Sequence, residues 1–125
     1  MTDDGRRVIL VADDDEDILT LVTAVLERAG HEVVAARDGA AALAAARDRR
    51  PDLAVLDVSM PELDGLQVLE RLRDDDETRD LPVVLLSARV QEEDVARGFA
   101  TGASAYVRKP FSPRELTDRV AELLR

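Results

Sequence analysis

Five short apolar runs punctuate the chain, at residues 8–12, 32–36, 53–56, 82–86 and 104–107. Three of them (VILVA, LAVL and PVVLL) are continuously apolar. A strand with one face in water alternates, whereas a strand covered on both faces does not, so these runs predict the interior of a parallel sheet. Between them, apolar residues return at the period of a helix with one buried face. Ile18, Val22, Val25 and Ala29 mark the first such stretch, with Gly30 as its stop signal. Residues 40–49 are alanine-rich around Leu43, and Leu66, Leu69 and Leu72 mark a third helix. Val95 and Phe99 mark a shorter fourth. The fifth, burying Leu116, Val120 and Leu123, opens on Ser112-Pro113, a capping residue followed by proline at the first helical position. Strict alternation of strand and helix predicts an α/β domain: a five-stranded parallel sheet with helices on both faces and right-handed crossovers.

Composition narrows what such a domain does. The 125 residues suit one domain, here 1–125 with residues 1–6 read as a flexible N-terminal tail. The absence of cysteine excludes a disulfide framework, a thiolate zinc site and a thiol nucleophile. With 27 acidic against 17 basic side chains, the net charge of −10 argues against direct binding of nucleic acid or anionic lipid by bulk charge. No apolar run approaches the roughly 18–20 residues of a membrane span, and MTDDGRR lacks a signal-peptide pattern. The expectation is a soluble, cytoplasmic protein without membrane insertion. The acidic stretch 74–77 reads as a solvated loop and His31 as a surface turn residue. Within the basic count, sixteen residues are arginine and Lys109 is the only lysine.

In open parallel sheets, ligands bind at the carboxyl ends of the strands. The first run ends at Asp13-Asp14-Asp15, the third at Asp57, the fourth at Ser87, and the fifth leads through Arg108 to Lys109-Pro110. Topology alone therefore gathers carboxylates, a hydroxyl and the single lysine on one edge. Packed acids raise one another's pKa unless a cation offsets them. Carboxylates with open positions suit Mg²⁺, which keeps waters and is often completed by a phosphate. A lysine opposite can neutralise a phosphoryl oxygen, and a small hydroxyl can bind another. Asp57 could then act as a carboxylate nucleophile and become an aspartyl phosphate. Asp13 and Asp14 also fit the bland role of helix N-terminal acids, which suffices for Asp15, Glu16 and Asp17. An EF-hand loop starting at Asp13 fails, because its sixth position is Ile18 and its twelfth Ala24.

The segments ILVADDDEDIL (9–19), DLAVLDVSMPELDGLQVLERLR (52–73), PVVLLSAR (82–89) and GASAYVRKPF (102–111) resemble, in order and spacing, receiver domains of two-component response regulators, including the chemotaxis-type single-domain receivers. The resemblance implies a flavodoxin-like (βα)5 fold with strand order 2-1-3-4-5. It implies Asp57 as phosphoacceptor, with Asp13, Asp14, Asp57 and the backbone carbonyl of Ser59 around Mg²⁺, for which Mn²⁺ can substitute. Ser87 matches the switch hydroxyl, Tyr106 the aromatic that follows it inward, and Lys109 the lysine that pairs with acceptor and phosphate. Pro110 is expected after a cis peptide, and Ser59 and Arg89 are expected to tune phosphoryl lifetime. Arginine in place of Lys109 would be longer, planar and poorly matched to a small phosphoryl pocket.

The function so implied is a phosphorylation-controlled switch and not a turnover enzyme, one that promotes its own phosphorylation and slow dephosphorylation. Its partners would be a sensor histidine kinase or histidine phosphotransfer protein and a downstream protein target. The surface formed by the fourth helix, fifth strand and fifth helix would change and could carry a dimer. Two rivals stand beside this reading. A haloacid-dehalogenase-like phosphatase would use Asp13 as nucleophile, although Glu16 and Asp17 do not continue its motif; a phosphate-independent interaction module would use the fold alone. The fifth helix is predicted to reach Arg125, which leaves the output open between a stand-alone receiver and a domain of a longer regulator.

Overall fold

A computed structural model describes residues 6–88 and 91–125, with the Glu92 side chain left aside. Strands β1 (Val8–Ala12), β2 (Glu32–Ala36), β3 (Leu53–Asp57), β4 (Val83–Ser87) and β5 (Ala105–Arg108) alternate with helices α1 (Glu16–Arg28), α2 (Gly39–Arg49), α3 (Gly65–Asp74), α4 (Glu92–Thr101) and α5 (Pro113–Leu124). All strand pairs are parallel, in the order β2-β1-β3-β4-β5. The flavodoxin-like topology expected from the resemblance is thus the observed one. The chain moves outward from β1 to β2 and then returns to β3 on the other side, so the topological switch point lies between β1 and β3. Most of the tail expected over residues 1–6 lies outside the described residues, but Arg6 pairs with Glu32 at 3.7 Å.

Three strands reach one residue further than their apolar runs. Asp57, Ser87 and Arg108 remain in the ladder, with Asp57 opposite Leu86 and Ser87 opposite Arg108. Main-chain pairing is indifferent to side-chain polarity, so the sheet holds these polar residues in register. Beneath them the continuous apolar runs serve two cores. Leu10, Leu56 and Leu85 pack with Val68, Leu69 and Leu72 of α3 and with Ala42, Leu43 and Ala46 of α2. Ile9, Val11, Val55 and Leu86 pack with Leu19, Val22 and Leu26 of α1 and with Leu116 and Val120 of α5. The buried stripe of α1 is therefore Leu19, Val22 and Leu26; Ile18 and Val25 are half-buried and Ala29, the C-cap, is exposed. Gly30 follows with φ +98°, the left-handed stop that glycine favours.

The fourth helix departs most from its sequence pattern. Phe99 is 48% exposed, so it does not mark a buried face. The buried position is Gly98, where a Cβ would lie 3.0 Å from Leu85 Cδ1 and 3.2 Å from Tyr106 Cδ2. The helix approaches the sheet through a residue with no side chain, and the phenyl ring one position on points away. At its C-terminal end, Gly102 caps the helix with φ +115°. Arg73, at the end of α3, donates to the Gly102 carbonyl from Nε at 3.1 Å and Nη2 at 2.8 Å, and to the Arg79 carbonyl from Nη1 at 3.0 Å. One half-buried guanidinium thereby joins α3, the turn before β4 and the end of α4.

The acidic stretch 74–77 is largely exposed, as a solvated loop requires, and His31 is less exposed than a surface turn residue. Asp74 ends α3, and the residues after it are engaged: Asp75 with Arg47 at 3.3 Å, Glu77 with Arg50 at 2.8 Å, and Asp76 with Arg79. Such exposed pairs contribute at most about 1 kcal/mol each, so they orient the turn more than they stabilise the fold. His31 is half-buried, with Nδ1 lacking a hydrogen-bond partner among the described residues. Burial, helped by the charge of Arg7, lowers its pKa. Among the described residues, no helix is long and apolar enough to cross a membrane.

Candidate functional site

Because β1 and β3 are neighbours, Asp13, just past one, stands beside Asp57, the last residue of the other. Both carboxylates are nearly inaccessible, with Asp13 at 1% and Asp57 at 4% exposure. The chain fixes Asp13 twice: its N–H donates to the Ala36 carbonyl at 3.1 Å, and its Oδ1 accepts from the Asp15 N–H at 2.9 Å. The Asp15 side chain is occupied as the N-cap of α1, accepting from Asp17 N–H and Ile18 N–H. That is the structural role expected of it.

Lys109 enters from the far side. Its backbone N–H donates to the Ser87 carbonyl at 2.8 Å, and the peptide to Pro110 is cis, as anticipated. Its Nζ donates to Asp13 Oδ2 at 3.1 Å and to Asp57 Oδ1 at 3.0 Å. One ammonium thus bridges carboxylates carried by two different strands. Ser87, 1% exposed, ends β4 at the same edge, and half-buried Tyr106 packs against the core on β5. Ser59 is exposed, two residues beyond Asp57. Arg89 lies outside the described residues.

The donor set suits a hard divalent cation. Asp13, Asp14 and Asp57 each offer a carboxylate oxygen, and the three atoms lie within 4.8 Å of one another. Asp14 is exposed while its partners are buried, which gives a metal an open, hydrated side. Beside Asp14, a polar cleft of about 410 Å³ runs past Ser59, Met60 and Asp64 to Arg97 on α4.

Burial pushes the Asp13 carboxyl above its ordinary 3.8, and the Asp57 charge adds to this; the Asp15 N–H and Lys109 oppose the rise without cancelling it. Burial alone would lower Lys109, but the hydrogen bonds and charges of Asp57 and Asp13 outweigh it and hold the ammonium above its usual 10.5. The lysine's contribution to stability is therefore complete below pH 10.5 and is lost only above it. Asp13 behaves oppositely at neutral pH. A carboxyl with a raised folded pKa stabilises the fold when protonated, below about pH 3.8, and loses that contribution as pH rises through the raised value. Asp13→Asn is accordingly expected to raise the stability of the metal-free chain at pH 7, because it removes a carboxylate that burial and Asp57 disfavour. The gain should vanish toward acid pH. Added Mg²⁺ should stabilise the wild type by mass action and the variant hardly at all. Urea denaturation with Mg²⁺ or EDTA, at pH 7 and pH 4, measures both effects.

Gly65 opens α3, and its role there is close approach. A Cβ there would lie 2.3 Å from the Asp57 carbonyl oxygen and 2.9 Å from Val58 Cα. Asp64 supplies the turn, as the N-cap of α3 in a capping box with Gln67. The contribution of Arg97 was unseen, because no local pattern links a helix arginine to a cleft formed by distant loops.

A family model described as the response regulator receiver domain matches residues 9–121. The alkaline phosphatase synthesis transcriptional regulatory protein PhoP of Bacillus subtilis is 46% identical over 120 residues, covering 96% of this chain and 49% of that protein. The phosphate regulon transcriptional regulatory protein PhoB of Escherichia coli is 43% identical over 119 residues, covering 95% of this chain and 52% of that protein. The chain thus spans about half the length of the curated relatives it matches. Among solved structures, a putative response regulator from Chloroflexus aurantiacus superposes with a TM-score of 0.91 at 35% identity, covering 95% of this chain and 98% of that one. A chemotaxis protein of Vibrio cholerae does so with a TM-score of 0.90 at 31% identity, covering 94% and 98%.

Proposed function

The chain belongs to the response regulator receiver family, whose members are phosphorylation-controlled signalling switches, and on that premise we propose that Asp57 is its phosphoacceptor. The observation that carries the assignment is the Lys109 ammonium bridging Asp57 and Asp13 at the β1/β3 switch point. In the proposed reaction an Asp57 carboxylate oxygen attacks the phosphorus of a phosphohistidine donor. The P–N bond breaks, and the imidazole, already protonated on its other ring nitrogen, leaves with the electron pair as neutral imidazole. Asp13, Asp14, Asp57 and the Ser59 carbonyl would hold Mg²⁺, or Mn²⁺ in its place, which when bound offsets the negative charge of the phosphoryl oxygens. Lys109 supplies the fixed positive charge on the other side.

The aspartyl phosphate adds negative charge and acceptor oxygens where Asp57 accepts from Lys109. Ser87, buried at the same sheet edge, would meet those oxygens, and Tyr106 would follow it inward. Tyr106 lies against Gly98, so its movement alters the seat of α4 and with it the surface of α4, β5 and α5. That surface would engage a downstream protein target or a second receiver. The donor would be a sensor histidine kinase or a histidine phosphotransfer protein, met in the cytoplasm. The chain would promote its own phosphorylation and slow dephosphorylation without turning over a substrate. The transcriptional outputs named for its relatives belong to proteins about twice the matched length.

Incubation with acetyl phosphate and Mg²⁺, followed by phosphopeptide mapping, tests this reading. Label is expected on Asp57 and none after EDTA. Label on Asp13 would support the phosphatase alternative, and no label from any donor would favour a phosphate-independent interaction module.

A further inference from the structure

An in-line displacement at phosphorus projects the leaving group away from the attacking oxygen. Asp57 ends β3, and the next residues, Val58 to Pro61, form one wall of the polar cleft; Asp14 of the acidic triad lies in the same lining. A leaving group that departs from Asp57 past Asp14 would enter that cleft. Its described lining carries two carboxylates, Asp14 and Asp64, and one cation, Arg97. Arg97 is exposed, and its side chain is joined by no ion pair among the described residues; its backbone carbonyl accepts from Thr101 Oγ1 at 2.8 Å. An anionic leaving group entering there meets repulsion from two acids, and the guanidinium is the group that can offset it. Its planar fork also matches a carboxylate.

We propose that Arg97 is a specificity-determining residue that recognises the carboxylate leaving group of acyl phosphates, so that the chain favours these over donors whose leaving group is neutral. The inference rests on Asp57 being the phosphoacceptor. With acetyl phosphate, the bond from Asp57 oxygen to phosphorus forms as the P–O bond to the acetyl group breaks, and acetate leaves with the electron pair and its negative charge. With phosphoramidate, the P–N bond breaks and nitrogen leaves with its electron pair and protons as neutral ammonia. Only the first product presents Arg97 with an anion.

The test compares labelling rates of the full chain and its Arg97→Gln and Arg97→Glu variants with both donors in Mg²⁺, read by intact-mass spectrometry. Arg97→Gln is expected to slow acetyl phosphate roughly two- to fivefold, the scale of one exposed charge contact, while leaving phosphoramidate unchanged. Arg97→Glu should slow acetyl phosphate further, and raised salt should narrow the gap between wild type and Arg97→Gln. Equal slowing with both donors, or no slowing with either, would overturn the assignment. If the wild type took label from neither donor, the phosphoacceptor reading would fall, and the role of Arg97 with it.

Discussion

Asp57→Asn is expected to abolish labelling by acetyl phosphate in Mg²⁺ while leaving the chain folded. The amide has no nucleophilic oxygen anion, so the covalent step is lost outright rather than slowed. Its shape is nearly that of the carboxylate, and its oxygen can still accept from Lys109 Nζ, the bond that Asp57 Oδ1 makes at 3.0 Å. One buried negative charge disappears from beside Asp13, whose own carboxyl is raised partly by that charge. Thermal or urea denaturation should therefore find the variant at least as stable as the wild type without metal. A variant that is folded, stable and unlabelled assigns the loss to chemistry. Residual label on Asp13 or Asp14 would show the wrong acceptor had been named.

Lys109→Met should slow labelling by roughly two to three orders of magnitude, the range for removing one preorganised charge donor from a transition state. Methionine keeps the length and apolar stem but not the ammonium that bridges Asp13 and Asp57. Arginine should not restore the rate, because its fork is wider than the space where a single nitrogen contacts both acids. Stability should respond as well. Removing one partner of a buried ion pair costs about 3–5 kcal/mol, and protonation of one acid plus the lysine's partial exposure should reduce this to about 1–3 kcal/mol. The sign of the pH dependence follows from Asp13. Without the lysine its carboxyl rises further, so the deficit is greatest at neutral pH and shrinks as acid protonates Asp13. Stopped labelling kinetics and urea titrations at pH 7 and pH 5 read the two effects.

The carboxylate–lysine cluster was legible in the sequence because strand ends are marked by where apolar runs stop, and parallel topology sends all those ends to one edge. Asp13, Asp57, Ser87 and Lys109 each follow an apolar run directly or within one residue of it. What escaped was set by contacts between segments distant in the chain. Gly65 looks like a turn glycine until the backbone of Asp57 is found 2.3 Å from its missing Cβ. Phe99 fits a helical period, but the face it implies is not buried, because the sheet meets α4 at Gly98. Arg73 is one arginine among sixteen, and nothing local distinguishes the one whose guanidinium reaches Gly102 across 29 positions.

That guanidinium makes the two ends of α4 unequal. The C-terminal end is bolted to α3 through Arg73 and the Gly102 carbonyl, whereas the N-cap, Gln91, makes no side-chain capping bond. A helix tied by side-chain bonds at its C-terminal end would pivot there, as a lever with its fulcrum at Gly102. A displacement at Tyr106, which touches α4 at Gly98 within one turn of that fulcrum, is magnified along the arm toward Gln91. The widest excursion would then fall where α4 follows the Ser87 end of β4, and the smallest beside α3.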